Sequence, residues 1–358
     1  MDFSVYFFAA DDRRTPRERY RFILDVARFI DPRGFRAIWV PERHFQEFGG
    51  SFPNPSVLAA AIAAVTERIQ LRAGSVVVPH HHPVRIVEEW ALVDQLSGGR
   101  VGLCLATGWH RGDFVFQPEH FADRREYTLS TVDTLRALWR GEPTDFEGPE
   151  DSTLTVRTYP RPHQPELPLW MVHTSNPQTW LEAGRRDLGV LTLLDNWDRL
   201  ADNVAAYRKA RSAAGLDPAA GVVTVGMHTY VGEDEEQVWA LVRDPVQRYL
   251  STFLSQKRSD DTSTAMSDAE QDQLAGLVAR DFYDRRSLLG TPAKCTEVVQ
   301  RLSGIGVDEI ACLVDFGLPF DEVMAGLPRL DALRRSCLPP SADEDRPRPR
   351  TLAGYYDQ

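Results

Sequence analysis

The feature that most constrains the fold of this 358-residue chain is a repeated alternation of short apolar runs with longer amphipathic segments. Such alternation is typical of βα units built around a parallel sheet. The predicted strands are Phe3–Ala9, Ala37–Pro41, Leu71–Val78, Val101–Thr107, Leu169–Thr174, Gly189–Leu194, Val222–Val231 and Glu309–Phe316. Helices are predicted to begin near Pro16, Pro55, Pro83, Phe121, Pro177, Trp197, Glu233, Pro292 and Phe320. Eight such units favour a single closed (β/α)₈ TIM barrel of the α/β class, with an open doubly wound sheet as the alternative.

The alternation is interrupted in two places. Residues 141–165 contain several Pro and Gly around an alternating run, Thr153–Arg157, which predicts a small hairpin before the fifth strand. Residues 252–289 form an insertion before the eighth unit, either a lid or a passive insertion. Residues 339–358 are rich in Pro, Arg and acid and are predicted to be a flexible tail. The expected organisation is one barrel domain over 1–338, followed by the tail.

The charge of the chain argues against two classes of partner. Its formal net charge is −11, whereas binding to nucleic acid or to an anionic membrane requires a concentrated basic surface. The arginine pairs at 13–14, 124–125 and 185–186 stand among carboxylates, and we interpret them as solvated helix faces. We therefore expect neither a nucleic-acid partner nor a membrane partner.

Three observations favour a cytoplasmic protein. Cys104 and Cys312 lie in apolar runs, where a reduced thiol behaves as a small core residue. The strand-like run at residues 2–8 lacks the basic start and long apolar centre of a signal peptide. No window approaches the roughly 18 apolar residues that a membrane span requires.

Polar residues at the carboxyl ends of the predicted strands are the candidates for chemistry, because barrels of this kind assemble their active sites there. The second strand is followed by Glu42-Arg43-His44-Phe45. A histidine between aromatic residues in a strand-end loop adds little to packing, so His44 is the first catalytic candidate. A hydrogen-bonded structural histidine is the alternative.

The third strand runs into His80-His81-His82, which raises the question of a metal site. Three consecutive histidines on an extended backbone cannot all point at one ion, and no clear set of carboxylates completes the ligands. We therefore favour a lining or helix-capping role for these residues and predict no metal.

Two further strand ends suggest contacts with a flat, phosphorylated cofactor. Ala106, Thr107 and Gly108 are small, so a planar ring can approach the backbone there, and Trp109 can exclude water. After the fifth strand, Ser175 or Asn176 can cap a helix whose first turn contains Pro177. Its free backbone N–H groups would form a phosphate site.

Taken together, these segments resemble the luciferase-like flavin monooxygenase family, and within it the natural-product branch that includes the mupirocin-pathway oxygenase. The resemblance spans about residues 1–335. The segments that carry it are Val40–Phe45, Gly108–Phe114, Ala122–Glu126, Gly290–Pro292 and Gly306–Gly317. Several independent matches in the same order make coincidence improbable.

The resemblance implies roles for individual residues. His44 corresponds to the family's catalytic histidine, and the Gly74-Ser75 step to a bend where the family often has a cis peptide under the flavin ring. The implied cofactor-binding residues are Glu42, Gly74, Ser75, Ala106, Thr107, Trp109, Thr174, Ser175 and Asn176. Light-emitting members have an acidic residue at the position of Thr174, so light emission is not implied here.

The implied activity is oxidation by reduced FMN and dioxygen of a small acyl or aminoacyl substrate, free or carrier-bound, in secondary metabolism. No Gly-x-Gly-x-x-Gly follows a strand, so we expect a separate flavin reductase to supply the reduced FMN. A dry wall of Trp39, Phe45, Phe48 and Trp109 is predicted around the ring. The Ala-rich helix at 55–66 predicts a homodimer.

Three other functions remain open at this point. The first is hydride transfer by a deazaflavin-dependent oxidoreductase, and the second is a flavin-binding protein without turnover. A zinc-dependent barrel hydrolase using His80, His81 and His82 is the most remote of the three.

Overall fold

Eight parallel strands close into a barrel in the computed structural model, which describes residues 1–8, 15–46, 50–173, 176–259 and 268–338. In chain order the strands are β1 (Asp2–Tyr6), β2 (Ala37–Val40), β3 (Gln70–Val77), β4 (Val101–Ala106), β5 (Thr144–Glu147), β6 (Thr153–Val156), β7 (Leu169–His173), β8 (Gly189–Leu193), β9 (Val223–Val231), β10 (Leu288–Gly290) and β11 (Glu309–Leu313). The ring runs β1-β2-β3-β4-β7-β8-β9-β11 and returns to β1. The open doubly wound alternative is therefore wrong.

Helices cover the outside of the ring. They are α1 (Pro16–Ile30), α2 (Pro55–Ala63), α3 (Pro83–Ser97), α4 (Arg124–Arg140), α5 (Gln178–Arg185), α6 (Trp197–Ala213), α7 (Glu235–Ser259), α8 (Asp268–Arg285), α9 (Pro292–Ile305) and α10 (Phe320–Ser336). Several begin on a proline, whose missing N–H is not needed in the first turn. Thr15 and Glu18 cap α1 reciprocally. None of the helices in the described ranges is long and apolar enough to cross a membrane.

Departures from the predicted elements are few. The predicted hairpin is present as the antiparallel pair β5 and β6. The short strand β10, which pairs with β9, was not predicted. Much of the predicted insertion at 252–289 is helical, since it contains the end of α7 and all of α8. Residues 260–267 and the predicted tail at 339–358 lie outside the described residues.

A cluster of buried charged and polar side chains lies inside the barrel near the amino ends of its strands. Arg72 donates from Nη1 to both carboxylate oxygens of Glu309, at 3.0 and 2.7 Å, and from Nε to Gln70 Oε1 at 2.9 Å. Its guanidinium lies 4.7 Å from the ring of Trp39 and 4.3 Å from that of Trp170. The side chains of Arg72 and Glu309 are each 2% exposed and are bonded to each other and to neighbouring side chains, as a buried ion pair requires.

Trp39 belongs to this network and not to a cofactor wall. Its Nε1 donates to Ser4 Oγ at 2.9 Å and to Glu309 Oε1 at 3.1 Å, and the side chain is fully buried. The prediction that Trp39 shields the cofactor is therefore wrong. Because side chains alternate along a strand, Trp39 points into the barrel alongside Ser4.

Candidate active site

Glu42 organises the carboxyl ends of β2 and β3. Its side chain is fully buried. Oε2 accepts the backbone N–H of Val77 at 2.7 Å, while Oε1 accepts Nε2–H of His44 at 2.9 Å and of His81 at 2.7 Å. Burial by itself would raise the pKa of Glu42, but the hydrogen bonds from the two histidines and Val77 outweigh it and lower the pKa to about 2. The carboxylate is therefore ionised near neutral pH.

His44 lies between Glu42 and a group of aromatic rings. Its side chain is 9% exposed. Its ring centroid is 4.7 Å from that of Phe116 and 5.9 Å from that of His80. Because an ionised carboxylate only accepts hydrogen bonds, Nε2 carries the proton in the neutral ring, and Nδ1 has the lone pair. The next residue, Phe45, has a φ of 55° and stacks on Phe116 at 5.5 Å.

The three consecutive histidines point in three different directions. His80 is buried, its ring is 4.8 Å from that of Phe114, and neither of its nitrogens has a hydrogen-bond partner within the described ranges. His81 binds Glu42, and this contact raises the pKa of His81 although burial opposes the rise. His82 caps α3, since its Nδ1 accepts the N–H of Val84 at 3.3 Å. The capping interpretation thus describes His82 only.

The bend in β3 lies where the family resemblance implied it. The peptide bond between Gly74 and Ser75 is cis, and the pairing of β3 with β4 shifts register between Gly74 and Val76. The Gly74 carbonyl accepts the hydroxyl of Tyr6 at 2.7 Å. A Cβ on Gly74 would lie 3.1 Å from Trp39 and 3.2 Å from Tyr6, so the packing favours glycine. Ser75 is half-buried between fully buried neighbours.

The end of β4 offers an accessible surface beside this bend. Ala106 is buried, whereas Thr107 and Gly108 are half-buried and Trp109 is 42% exposed. Gly108 has a φ of 71°, and a Cβ there would lie 3.0 Å from Phe114. This positive φ and the crowding explain the need for glycine.

Arg43 is a charged residue that sequence reasoning passed over. Its guanidinium carbon lies 4.8 Å from the ring centroid of Phe8 and 6.0 Å from that of Trp109. Burial lowers the pKa of Arg43, while Tyr249 and Tyr6 oppose the change. The available signal was its position, because Arg43 follows the end of β2 at Val40 by three residues and is next to His44.

The predicted phosphate turn is described only in part. Thr174 and Ser175 lie outside the described residues. Asn176 is exposed, and its Oδ1 accepts the N–H of Gln178, the first residue of α5, at 3.0 Å. Nearby, Nη1 of Arg125 donates to Thr179 Oγ1 at 3.0 Å. The interpretation of Arg125 as part of a solvated helix face is wrong, because α4 directs this cation toward the first turn of α5.

Two of the other predicted wall residues, Phe45 and Trp109, are described, and both are exposed. Phe45 is 63% exposed, and Phe48 lies outside the described residues. The buried aromatic neighbour is instead Phe114, which contacts Phe121 at 5.0 Å as well as His80. The sequence places Phe114 and Phe116 in the segment after β4, but nothing in it shows that they reach the histidines after β2 and β3.

Comparison with known proteins identifies the family to which this chain belongs. The profile of the luciferase-like monooxygenase family matches residues 1–309. The oxygenase component of the flavin-dependent trigonelline monooxygenase of Acinetobacter baylyi is 24% identical over 351 residues, with 92% of this chain and 93% of that protein covered.

Two solved structures share the fold. The oxygenating constituent of 3,6-diketocamphane monooxygenase from Pseudomonas putida, in complex with FMN, superimposes with a TM-score of 0.74 at 17% identity and covers 93% of this chain and 96% of its own. An F420-dependent secondary alcohol dehydrogenase has a TM-score of 0.73 at 18% identity, with coverages of 94% and 100%. Because the family profile spans most of the sequence, the chain belongs to the luciferase-like monooxygenase family of flavin-dependent oxidoreductases.

Proposed function

We propose that this protein uses reduced FMN and dioxygen to hydroxylate, or insert oxygen into, a small acyl or aminoacyl substrate of secondary metabolism. The observation that carries the proposal is the arrangement at two neighbouring strand ends. His44 is held after β2 by Glu42, which also accepts the N–H of Val77, two residues beyond the cis Gly74-Ser75 bend of β3. This pairs a proton-transfer group with the strand bend expected beneath a flavin ring.

The residues present fit FMN. Ser75, Thr107 and Gly108 are the partly accessible positions beside the bend, and they place little side-chain bulk against a flat ring. At the other end of the ligand, the N–H groups of Gln178, Thr179 and Trp180 already donate to Asn176 and Pro177, so Arg125 supplies the positive charge for a phosphate there. We assign phosphate binding to Arg125, Asn176 and the predicted Thr174 and Ser175, and ring contacts to Gly74, Ser75, Ala106, Thr107 and Trp109.

His44 would move a proton at Nδ1. The Glu42 carboxylate holds Nε2–H at 2.9 Å, which fixes the tautomer and stabilises the ring when it becomes positively charged. Glu42 is then a positioning residue, in addition to its predicted place beside the cofactor. Reduced FMN, when bound, supplies the electrons that activate dioxygen. The aromatic rings of Phe114 and Phe116 limit the access of water to this side of the histidine.

The reduced cofactor would come from a separate flavin reductase. The relative from Acinetobacter baylyi is named as an oxygenase component. This chain has no Gly-x-Gly-x-x-Gly segment after a strand to bind a nicotinamide dinucleotide. Both observations support a two-component system with the reductase as partner.

A homodimer is also part of the proposal. The side chains of Val57 on α2 and of Leu92 and Leu96 on α3 are 67%, 52% and 51% exposed. These apolar residues lie on two helices that pack on each other, and pairing with a second copy would remove them from water. Sedimentation at micromolar concentration tests this, and a monomer alone would contradict it.

Hydride transfer with a deazaflavin is the second candidate, favoured by the similarity of the fold to the F420-dependent alcohol dehydrogenase. The decisive experiment incubates the protein with chemically reduced FMN, isotopically labelled dioxygen and candidate acyl substrates, and analyses products by mass spectrometry. Labelled oxygen in the product supports the proposal. Substrate oxidation with F420 and without oxygen incorporation would replace it with the second candidate.

A further inference from the structure

A possible set of metal ligands overlaps the candidate active site. Glu42, His44 and His80 each offer one ligand atom, and these three atoms lie within 4.8 Å of one another. An ion at the centre of such a triangle lies at most about 2.8 Å from each atom, so shifts of less than about 1 Å reach zinc bond lengths of about 2.0–2.2 Å. Two imidazoles and one carboxylate are a frequent zinc ligand set.

An independent observation concerns His80. The residue is 5% exposed, and neither Nδ1 nor Nε2 has a hydrogen-bond partner among the described residues. A buried imidazole without partners loses its hydrogen bonds to water and gains none in return. Its ring is held against Phe114 and faces His44. A cation between His80 and His44 would give this ring the partner that the protein does not provide.

The surroundings of Glu42 also suit a metal ligand. Its second carboxylate oxygen is fixed by the N–H of Val77 at 2.7 Å, and His81 approaches the first oxygen at 2.7 Å. Groups that hold a ligating carboxylate in this way orient it and raise the affinity of a site for metal. His81 is not itself one of the three ligands.

We propose that Glu42, His44 and His80 bind a zinc-like divalent cation, with water at the open fourth position, and that the bound cation inhibits the enzyme. The inhibitory part rests on the proposed function of His44. Whichever ring nitrogen of His44 binds the ion, the neutral ring then has no lone pair left to accept a proton. The cofactor surface at Ser75 and Thr107 contributes no ligand.

The binding test uses the full-length, flavin-free protein with Zn²⁺ in calorimetry and with Co²⁺ in visible spectroscopy. We expect one ion per chain and a Co²⁺ spectrum typical of tetrahedral nitrogen and oxygen ligands. His80→Ala and His44→Ala should each weaken binding by more than about 100-fold, and His81→Ala by about 10-fold. His82→Ala is the matched control from the same run, and Cys337→Ser tests for binding at a partly exposed thiol. Circular dichroism checks that each variant is folded.

Each outcome decides the proposal. Absence of binding at micromolar Zn²⁺, equal binding in His80→Ala, or loss of binding in Cys337→Ser would overturn it. In turnover assays, Zn²⁺ should inhibit the wild-type enzyme reversibly, with recovery on adding a chelator. Protein that binds the ion but never turns over would refute the proposed function and leave the site standing. Turnover without any ion binding would refute the metal site and leave the proposed function standing.

Discussion

Two buried polar clusters occupy opposite ends of the same barrel, and they differ in how completely their groups are paired. Near the amino ends of the strands, Arg72 and Glu309 are joined at 2.7 Å and bonded to their neighbours. Near the carboxyl ends, Glu42 accepts three hydrogen bonds and holds His44 next to His80, whose nitrogens have no partner among the described residues. A saturated network serves stability, whereas an incompletely paired one retains capacity to bind or to transfer protons.

The largest effect is expected from removing the proton-transfer group of the cluster at the carboxyl ends of the strands. His44→Ala and His44→Gln should lower single-turnover product formation by about 10²–10⁴-fold. Binding of reduced FMN, followed by fluorescence quenching, should be retained, because His44 is assigned to proton transfer and not to holding the cofactor. Release of hydrogen peroxide in place of oxygenated product would support the assignment.

His163→Gln, which changes a histidine outside both clusters, is the control for this experiment. A wild-type rate in His44→Ala would show that His44 is structural. The two clusters would then differ in how their side chains are packed and not in a role in proton transfer.

Removing one charged partner from the cluster at the amino ends of the strands should lower the stability of the fold. Arg72→Met leaves the Glu309 carboxylate buried without its counter-charge, and should lower the free energy of unfolding by about 3–5 kcal/mol. Urea denaturation measures the change, with Arg68→Met as a control at an exposed position. The double variant Arg72→Met/Glu309→Leu should be more stable than Arg72→Met. If Arg72→Met unfolds like the wild type, the network does not stabilise the barrel.

The phosphate end of the candidate site gives a smaller effect. Arg125→Gln should reduce the preference for FMN over riboflavin by about 10–100-fold, since a hydrogen bond to a charged group contributes about 1.5–3 kcal/mol. Arg124→Gln is the matched control, because Arg124 bonds the carbonyl of Phe121 and not α5. Dissociation constants for FMN, FAD and riboflavin test this, and FMN should bind best. Equal affinity of the wild-type protein for FMN and riboflavin would contradict the assignment of a phosphate site.

The smallest effect concerns the loss of folding stability in acid, which a buried histidine outside both clusters should cause. His228 on β9 is packed against the rings of Tyr249, Phe282 and Phe316, and burial lowers its pKa to about 3. Between the unfolded pKa of about 6.5 and this folded value, the unfolded chain binds the proton and the folded chain does not. The free energy of unfolding therefore falls as the pH falls through this window.

From pH 6.5 to 5 this residue should remove about 1.6 kcal/mol from the free energy of unfolding. His228→Leu should abolish that part of the pH dependence, whereas Met227→Leu, the neighbouring buried residue, should keep it. Denaturation curves at both pH values give the comparison. An unchanged slope in His228→Leu would mean that His228 is protonated, or exposed, in the folded protein at pH 5.

Local patterns in the sequence determined much of the architecture. The eight barrel strands, the hairpin, and the proline-initiated helices α1, α2, α3 and α9 follow from residue periodicity and turn chemistry, which act over a few neighbouring residues. The cis bend at Gly74-Ser75 came from family resemblance, and the structure contains it. His44 was selected because a polar residue after a parallel strand lies at the active end of a barrel.

Contacts between residues far apart in sequence were decided only by the tertiary structure. Arg72 and Glu309 are 237 positions apart, and their pairing depends on the closure of the ring through β11 and β1. Trp39 was assigned to the cofactor wall, whereas its indole is buried against Gly74 and bonded to Ser4 and Glu309, partners that its place in the sequence does not reveal. Likewise, Glu42 contacts His81 in addition to its near neighbour His44 only because β2 and β3 lie side by side. Periodicity reports the face of an element, whereas the distance between two functional groups depends on how all the elements pack.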